Sequence, residues 1–483
     1  MPSLPQRIMG VETEFGCLVR DPDLMKPAEA VETVKNAAFY DLKIGALDLH
    51  ARDEVFEPAR SGGFLRNGAR LYIDNVGSHL EYATAECLGL RDLIANDRAG
   101  QRLVLRALAE SGLGDEVAFY NNSVDHFGGH TFGCHENYLA HVDDEFFAHR
   151  LEFILPFLVT RQIFAGVGRV GGHVLSDGNR RPTFDEVMQN PVDYIWVSNV
   201  YQVDPDETVD FQISQRADHI LKVAASRVRF NRAMINPKWE HFYDHDEFKR
   251  LHILFGEANQ SEYAYALRVG TTALVLRLSE EGFLTDQGMI MNNPILGLRQ
   301  VSRNLGLDTK LGGPNLKPSD IQRRFLELAD QEYRGETDET DWVLREWAQT
   351  LDDLDRDPLS LGHKLDWVAK YTMIRDFTES ENLTWKDDIC HSLDMEYHNI
   401  DPQQSLYYAL PHRERLTTET DIVNAMSEGP ADTRARVRGQ LVAKAMELRP
   451  PNSYTIDWDG VALGRNEYYD LADPYGTELQ RDE

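Results

Sequence analysis

Carboxylates separated by a single residue are the first feature of this chain that could do chemistry. The segment Met9-Gly10-Val11-Glu12-Thr13-Glu14-Phe15-Gly16 alternates. As a strand it would place Glu12 and Glu14 on one face and Val11, Thr13 and Phe15 on the other. Carboxylates so spaced sit roughly 7 Å apart at the backbone, near enough to share one or two hard cations. The same alternation also describes an ordinary exposed strand, and spacing alone leaves both readings open. A second stretch, Phe64 to Cys87, carries Tyr72, Asp74, His79 and Glu81 near several glycines. As a strand it would turn Tyr72 and Asp74 one way and Leu71 and Ile73 the other. An apolar face that fixes the strand, with an acidic face on a cavity, is how metal and acid–base sites are commonly built. A surface hairpin with solvated carboxylates is the plain alternative.

A third cluster lies between Val117 and Leu139: His126, His130 and His135 with Asp125 and Glu136, interleaved with Gly128, Gly129 and Gly133. Histidines among carboxylates can bind a transition metal. Their spacing fits no established zinc pattern, so hydrogen-bonding histidines along a polar cleft are the plainer reading. Near the C-terminus, Arg434, Arg436 and Arg438 follow Asp432, which reads as the cap of a helix running to Leu448. Cations at a helix start oppose the macrodipole unless an anion binds there, which points to a phosphate.

The elements that must position these residues can be read in outline. Helices are expected at Ala28 to Ala38, Asp92 to Ser111 and Phe153 to Phe164. Another should run from a Ser261 cap through Gly270 to Leu278. An interior glycine costs about 1 kcal/mol against alanine, so Gly270 implies close helix–sheet packing. The chain should be mainly helical after Asn315: Ser319 to Tyr333, Asp341 to Leu354 and Gly362 to Phe377. Phe248 to Asn259 reads as a strand with His252 and Leu254 on one face, and Tyr454 to Trp458 as a shorter one. Residues 46–63 read as a long loop or lid, Arg216 as lying near a turn, and Glu332 to Asp341 as a solvated connection.

Composition bounds the function. The 483 residues are long enough for one large domain and a smaller one, with 42% hydrophobic and 10% aromatic residues. Acidic residues number 80 against 50 basic, a formal net charge of -30 that disfavours nucleic acid as a partner. The sequence carries no apolar run of membrane-spanning length and no basic-then-apolar leader. Cys17, Cys87, Cys134 and Cys390 are far apart and form no CxxC pair, so a reducing cytoplasm is expected.

Taken together, several segments carry a resemblance that none carries alone. MGVETEFG, FLRNGARLY, GSHLEYATAEC, GCHENYL, LPFLVTRQ, SQRADHI, KRLHILFGEAN, VGTTALVL, DTRARVRG and TIDW occur here in order. The chain resembles the family of Pup ligases and their sister Pup deamidases/depupylases over nearly its whole length. The resemblance implies an α+β, glutamine-synthetase-like (carboxylate–amine ligase) fold, a curved antiparallel sheet backed by helices. It further implies a catalytic domain over residues 1–410 and a small C-terminal domain over 411–483 that borders the nucleotide.

The same resemblance assigns roles. Glu12, Glu14, Tyr72, Glu81 and His252 would hold magnesium ions, and Asp74 would be the catalytic base. His135, Arg216, Arg434 and Arg438 would approach the phosphates of ATP or the activated carboxylate, and Trp458 would stack on adenine. The implied partners are Pup or a Pup-like disordered modifier that orders on binding, and target proteins through their lysines. Thr13, Phe15 and Cys134 match the ligase side, where deamidases usually have Val, Tyr and Ser. The chain departs from the family pattern at the extra residue in Asp74-Asn75-Val76-Gly77 and in RAMINPKWEHFYDHDEF, which points to a divergent branch. Hydrolysis of the glutamine amide or isopeptide bond is the alternative activity. A small-molecule carboxylate–amine ligase and a nucleotide-binding scaffold without catalysis stand further off.

Overall fold

The structure is a computed structural model that describes residues 6–52, 57–74, 79–125, 131–142, 146–175, 203–225, 232–237, 248–285, 287–448 and 453–479. Its first strands are β1 (Met9–Val19), β2 (Gly45–Leu47), β3 (Gly62–Leu65), β4 (Arg70–Asp74), β5 (His79–Ala83), β6 (Val117–Tyr120) and β7 (Cys134–His141). Four short strands follow: β8 (Arg169–Val170), β9 (His173–Leu175), β10 (Val203–Pro205) and β11 (Phe211–Gln212). Next come β12 (Lys222–Ala224), β13 (Ala233–Pro237) and β14 (Phe248–Ile253). The last three are β15 (Tyr454–Ile456), β16 (Gly460–Leu463) and β17 (Glu467–Asp470).

One ten-stranded sheet runs β12-β13-β14-β7-β1-β5-β4-β3-β2, with β6 joined to the far end of β1. Its pairs are antiparallel except β12 with β13. The alternation of β1 fixes its orientation, since Val11, Thr13 and Phe15 are buried against helices. Helices Leu90–Glu110 and Glu262–Glu280 back the sheet, and a further layer includes Leu151–Thr160, Pro318–Tyr333 and Asp338–Arg356. The expected α+β arrangement, a helix-backed sheet with a small C-terminal sheet, is the one found.

Ser261 caps its helix by accepting from Ala264 N at 3.2 Å. Gly270 differs from expectation in what it touches. A Cβ there would come within 2.7 Å of Val343 Cγ2 and 3.0 Å of Leu90 Cδ1, so it permits helix–helix rather than helix–sheet contact. Residues 46–63 are not simply a loop, because β2 and β3 form at its ends. Ala46 and Phe64 pack there on the C-terminal helix, a long-range contact that alternation within the segment does not announce. The strand from Phe248 stops at Ile253, short of Leu254. Beyond it the chain turns Glu257 and Asn259 into buried hydrogen bonds with Val167 N and Asp366. Within the acidic run, Glu339 accepts from Leu90 N at 2.9 Å and so caps the helix Leu90–Glu110.

Helix Arg434–Glu447 and the sheet β15-β16-β17 share a core of Val437, Leu441, Ile456, Val461 and Leu463 that rests on Ala46 and Phe64. Helix Glu419–Ala425 instead packs on Leu90–Glu110. Among the described residues no helix is long and apolar enough to cross a membrane.

Candidate active site

Strand register decides which side chains meet. Glu14 is opposite Glu81, and Glu81 is opposite Tyr72, so these three form one row across β1, β5 and β4. Glu12 is opposite His135 on β7, and His252 on β14 is opposite Asn137. Asp74 ends β4 opposite His79. Directly opposed residues share a face, so Glu12, Glu14, Tyr72, Asp74, Glu81, His135 and His252 all rise from the side away from the helices.

Two sets of donors lie close enough to share an ion. Glu12, His135 and His252 offer donor atoms within 4.8 Å of one another, and so do Glu14, Glu81 and His135. The imidazoles of His135 and His252 meet edge to face at 4.9 Å. Gly133 makes the approach possible: a Cβ there would lie 2.5 Å from Glu14 Oε1 and would also strike His135.

The charges in this cluster are unequal. Burial pushes Glu12 upward, but His252, a hydrogen bond from His135 and Arg250 outweigh it and hold the carboxyl well below its usual range. Arg250 Nη1 donates to Glu12 at 2.9 Å and to Asn137 Oδ1 at 3.2 Å. Glu14 is likewise opposed by burial, yet His79, with Nδ1 2.7 Å from Oε2, brings it down to about 2. Glu81 goes the other way. Burial, then the carboxylates of Glu14, Glu12 and Asp74, push it well above the carboxylate range. Burial, then Glu81 and Glu12, raise the Tyr72 phenol. Carboxylates crowded beside a phenol, with imidazoles at the rim, fit hard divalent cations, whose positive charge would relieve the repulsion among the carboxylates.

Arg216 stands at the turn before the short helix Ala217–His219, as expected. It is buried, donates to Phe132 O at 3.2 Å and Leu254 O at 3.4 Å, and has Glu14 and Glu257 as its nearby anions. Glu136 does not join the site. It lies on the helical face, fully buried, with Arg161 at 2.6 Å and Arg268 at 3.4 Å. His126, His130 and the extra residue Asn75 lie outside the described residues.

Arg434 and Arg438 both reach a buried carboxylate of the chain, Glu86. The helix begins at Arg434 with Thr433, not Asp432, as its cap residue, and Thr433 Oγ1 donates to Glu86 O. Arg434 Nε donates to Glu86 Oε1 at 2.8 Å, and Arg438 Nη1 at 3.0 Å. Both guanidiniums also donate to carbonyls, of Leu471 and of Gly68 respectively. The anion that this helix start demands is therefore the chain's own Glu86. Arg438 also lies 4.7 Å over the Trp458 ring, which meets Phe64 edge to face at 5.0 Å.

Between this C-terminal unit and the ends of β1, β5 and β7 is a mostly apolar cavity of about 630 Å³, open solvent included. Glu12 and Arg250 lie on its sheet side, with Thr84 and Glu86 beyond β5, and Arg434, Trp458 and Pro474 on the other. Arg250 and Glu86 were missed in the sequence, and His79 was noticed there without a role. His79 lay within a stretch already singled out, and Arg250 shares the i, i+2 alternation of His252. Nothing local marks Glu86.

The sequence model for Pup-ligase proteins matches residues 7–462. The chain is 34% identical to a Pup–protein ligase of Paenarthrobacter aurescens (strain TC1), over 99% of this chain and 98% of that one. It is 33% identical to a Pup–protein ligase of Acidimicrobium ferrooxidans, over 100% and 98%. It is also 34% identical to a depupylase of Acidothermus cellulolyticus, over 91% and 88%. In three dimensions it resembles the ligase PafA in its complex with the prokaryotic ubiquitin-like protein Pup, with a TM-score of 0.77 and 29% identity over 99% and 90% of the two chains. PafA in complex with ADP gives 0.69 and 30%, over 86% and 88%. A family model that spans nearly the whole sequence, and relatives 33–34% identical along its length, settle the affiliation: this chain is a member of the Pup-ligase family.

Proposed function

We propose that this chain is an ATP-dependent ligase that joins the C-terminal glutamate of Pup, or of a Pup-like modifier, to a lysine of a target protein. The observation that carries this reading is the row Glu14–Glu81–Tyr72, flanked by Glu12, His135 and His252, with Asp74 two residues along β4. Relatives named as Pup–protein ligases, and ligase structures holding Pup or ADP, support the partner and the nucleotide.

Glu12, Glu14, Tyr72, Glu81 and His252 would hold magnesium, which when bound neutralises phosphate charge. His135 falls among the same donors and would serve either ion or phosphate. The cavity beside Trp458 would take adenine, with the phosphates toward Glu12 and Arg250. Arg434 and Arg438 would act from the cavity wall while held by Glu86.

A carboxylate does not condense with an amine at neutral pH. An oxygen of the modifier's γ-carboxylate would displace ADP from the γ-phosphorus of ATP, giving a γ-glutamyl phosphate. Arg216 would offset the charge of the transferred group. The lysine nitrogen then attacks the carbonyl carbon, phosphate leaves with the bonding pair, and an isopeptide bond forms. With a pKa near 10.4 the amine arrives protonated, and Asp74 would take that proton.

The depupylase relative supports a second reading, because it is as similar to this chain as a ligase is. Water would then replace the lysine nitrogen. The deciding experiment incubates the protein with Mg-ATP, Pup and a lysine-bearing acceptor, read by intact mass, with Asp74→Asn as control. A conjugate lighter by one water than its parts, absent with Asp74→Asn, establishes ligation. Release of modifier from a preformed conjugate, with no new adduct, assigns hydrolysis instead.

A further inference from the structure

Beneath the sheet, on the side away from the carboxylate face, a cavity of about 740 Å³, open solvent included, is lined by Arg98, Arg102, Arg413 and Arg415 with Tyr407 and Tyr408. Four guanidiniums face a single lining carboxylate, Glu262, in a chain whose net charge is -30. Glu262 is occupied, accepting from Leu416 N at 2.7 Å, Thr417 N at 2.8 Å and Thr417 Oγ1 at 3.0 Å. Arg98 forms the buried floor, donating to Asp97 at 3.0 Å and to the carbonyls of Asn259 and Gln260. Arg102 is held by Glu419. Arg415 comes only within 3.7 Å of Glu262. Arg413 lies 5.0 Å over the Tyr408 ring and 5.6 Å over Tyr407, and among the described residues it forms no ion pair.

We infer that this cavity binds a small, multiply charged anion of the oligophosphate class, with Arg413 and Arg415 as its principal donors. The guanidinium fork matches phosphate oxygens two at a time, and the two tyrosine rings hold Arg413 in place. The recess, partly open to solvent, suits a small ion rather than a folded partner. The site is distinct from the catalytic face, yet Arg98 touches Asp97, and Asp97 accepts from Thr13 Oγ1 at 3.4 Å, between Glu12 and Glu14 on β1.

Calorimetric titration of the full chain with sodium pyrophosphate, in EDTA so that divalent cations are absent, tests the inference. Wild type and Glu14→Gln should bind alike, and the double variant Arg413→Gln/Arg415→Gln should bind at least tenfold more weakly. Its circular dichroism melt should match that of wild type. A parallel arm with ADP separates the two sources of such phosphates: ADP heat lost in the double variant marks a nucleotide here, ADP heat kept there belongs to the cavity beside Trp458 and leaves the free ion, and pyrophosphate should weaken in the double variant in either case. No heat with wild type, or heat lost with Glu14→Gln and kept in the arginine variant, overturns the assignment. So does capture of an acidic peptide at Arg413 in a protein that binds no pyrophosphate.

Discussion

Glu14 and Glu81 are direct partners across β1 and β5, two buried carboxylates in one row of the sheet. His79 Nδ1 lies 2.7 Å from the first and lowers its carboxyl, whereas burial, then Glu14, Glu12 and Asp74, push the second well above the carboxylate range. Function and stability therefore conflict at this row.

Replacing Glu81 with Gln removes a source of that repulsion. In EDTA the variant should melt at or above the wild-type temperature. Wild type should gain stability on adding magnesium, by mass action on the folded state, and Glu81→Gln should gain much less. Its ligation rate should fall by at least about 100-fold. Thermal melts across a magnesium titration check this, and an undiminished magnesium response would remove Glu81 from the donor set.

Asp74→Asn should lower kcat by about 10²- to 10⁴-fold, the usual contribution of a positioned base, and leave the KM for ATP within about twofold. Steady-state conjugation over an ATP series reads both. A raised KM with unchanged kcat would place Asp74 in nucleotide binding.

Glu86 should make stability fall in acid. Burial raises its carboxyl, but Arg438 and Arg434 outweigh this and bring it from 4.5 down to about 2. A depressed carboxyl stabilises the fold fully above its unfolded value. That contribution is lost as pH drops from about 4.5 through about 2. At about 1.4 kcal/mol per pH unit the loss is on the order of 3 kcal/mol. Urea unfolding between pH 7 and pH 2.5 should show it. Glu86→Gln, which strands two buried guanidiniums, should already be destabilised at pH 7 by about 3–5 kcal/mol, with a shallower acid dependence.

Gly270→Ala sets two effects against each other. Alanine favours the helix by about 1 kcal/mol, whereas its Cβ would crowd Val343 and Leu90, which costs about 1–3 kcal/mol. Crowding should win, and Val343→Ala in the same chain should restore most of the loss. Equilibrium unfolding of the wild type and the two variants decides it. A stabilised single variant would mean that the interhelical contact relaxes easily.

The acidic face was legible because strand alternation is local: Glu12 and Glu14, or Tyr72 and Asp74, fall on one side whatever the partner strand. Which rows they form was not legible. Glu14–Glu81 and Glu12–His135 depend on register, set by core packing of residues far apart in sequence. The same limit explains Arg434 and Arg438. Cations at a helix start correctly announced an anion, but Glu86, nearly 350 residues earlier, could not be named from local pattern. Gly270 was rightly read as a close contact and assigned to the wrong neighbour, since a glycine tells of proximity and not of what approaches. β2 and β3 escaped because their support comes from the C-terminal helix.

The Glu86 pairing makes the C-terminal segment a poor candidate for removal or exchange as a module. A protein ending before Arg434 would lose more than a wall of the proposed nucleotide cavity. Glu86, just beyond β5, would lose both counter-charges that hold its carboxyl low, three residues past the end of the strand that carries Glu81. Chimeras between relatives should therefore succeed only when residue 86 and the helix that answers it come from the same parent.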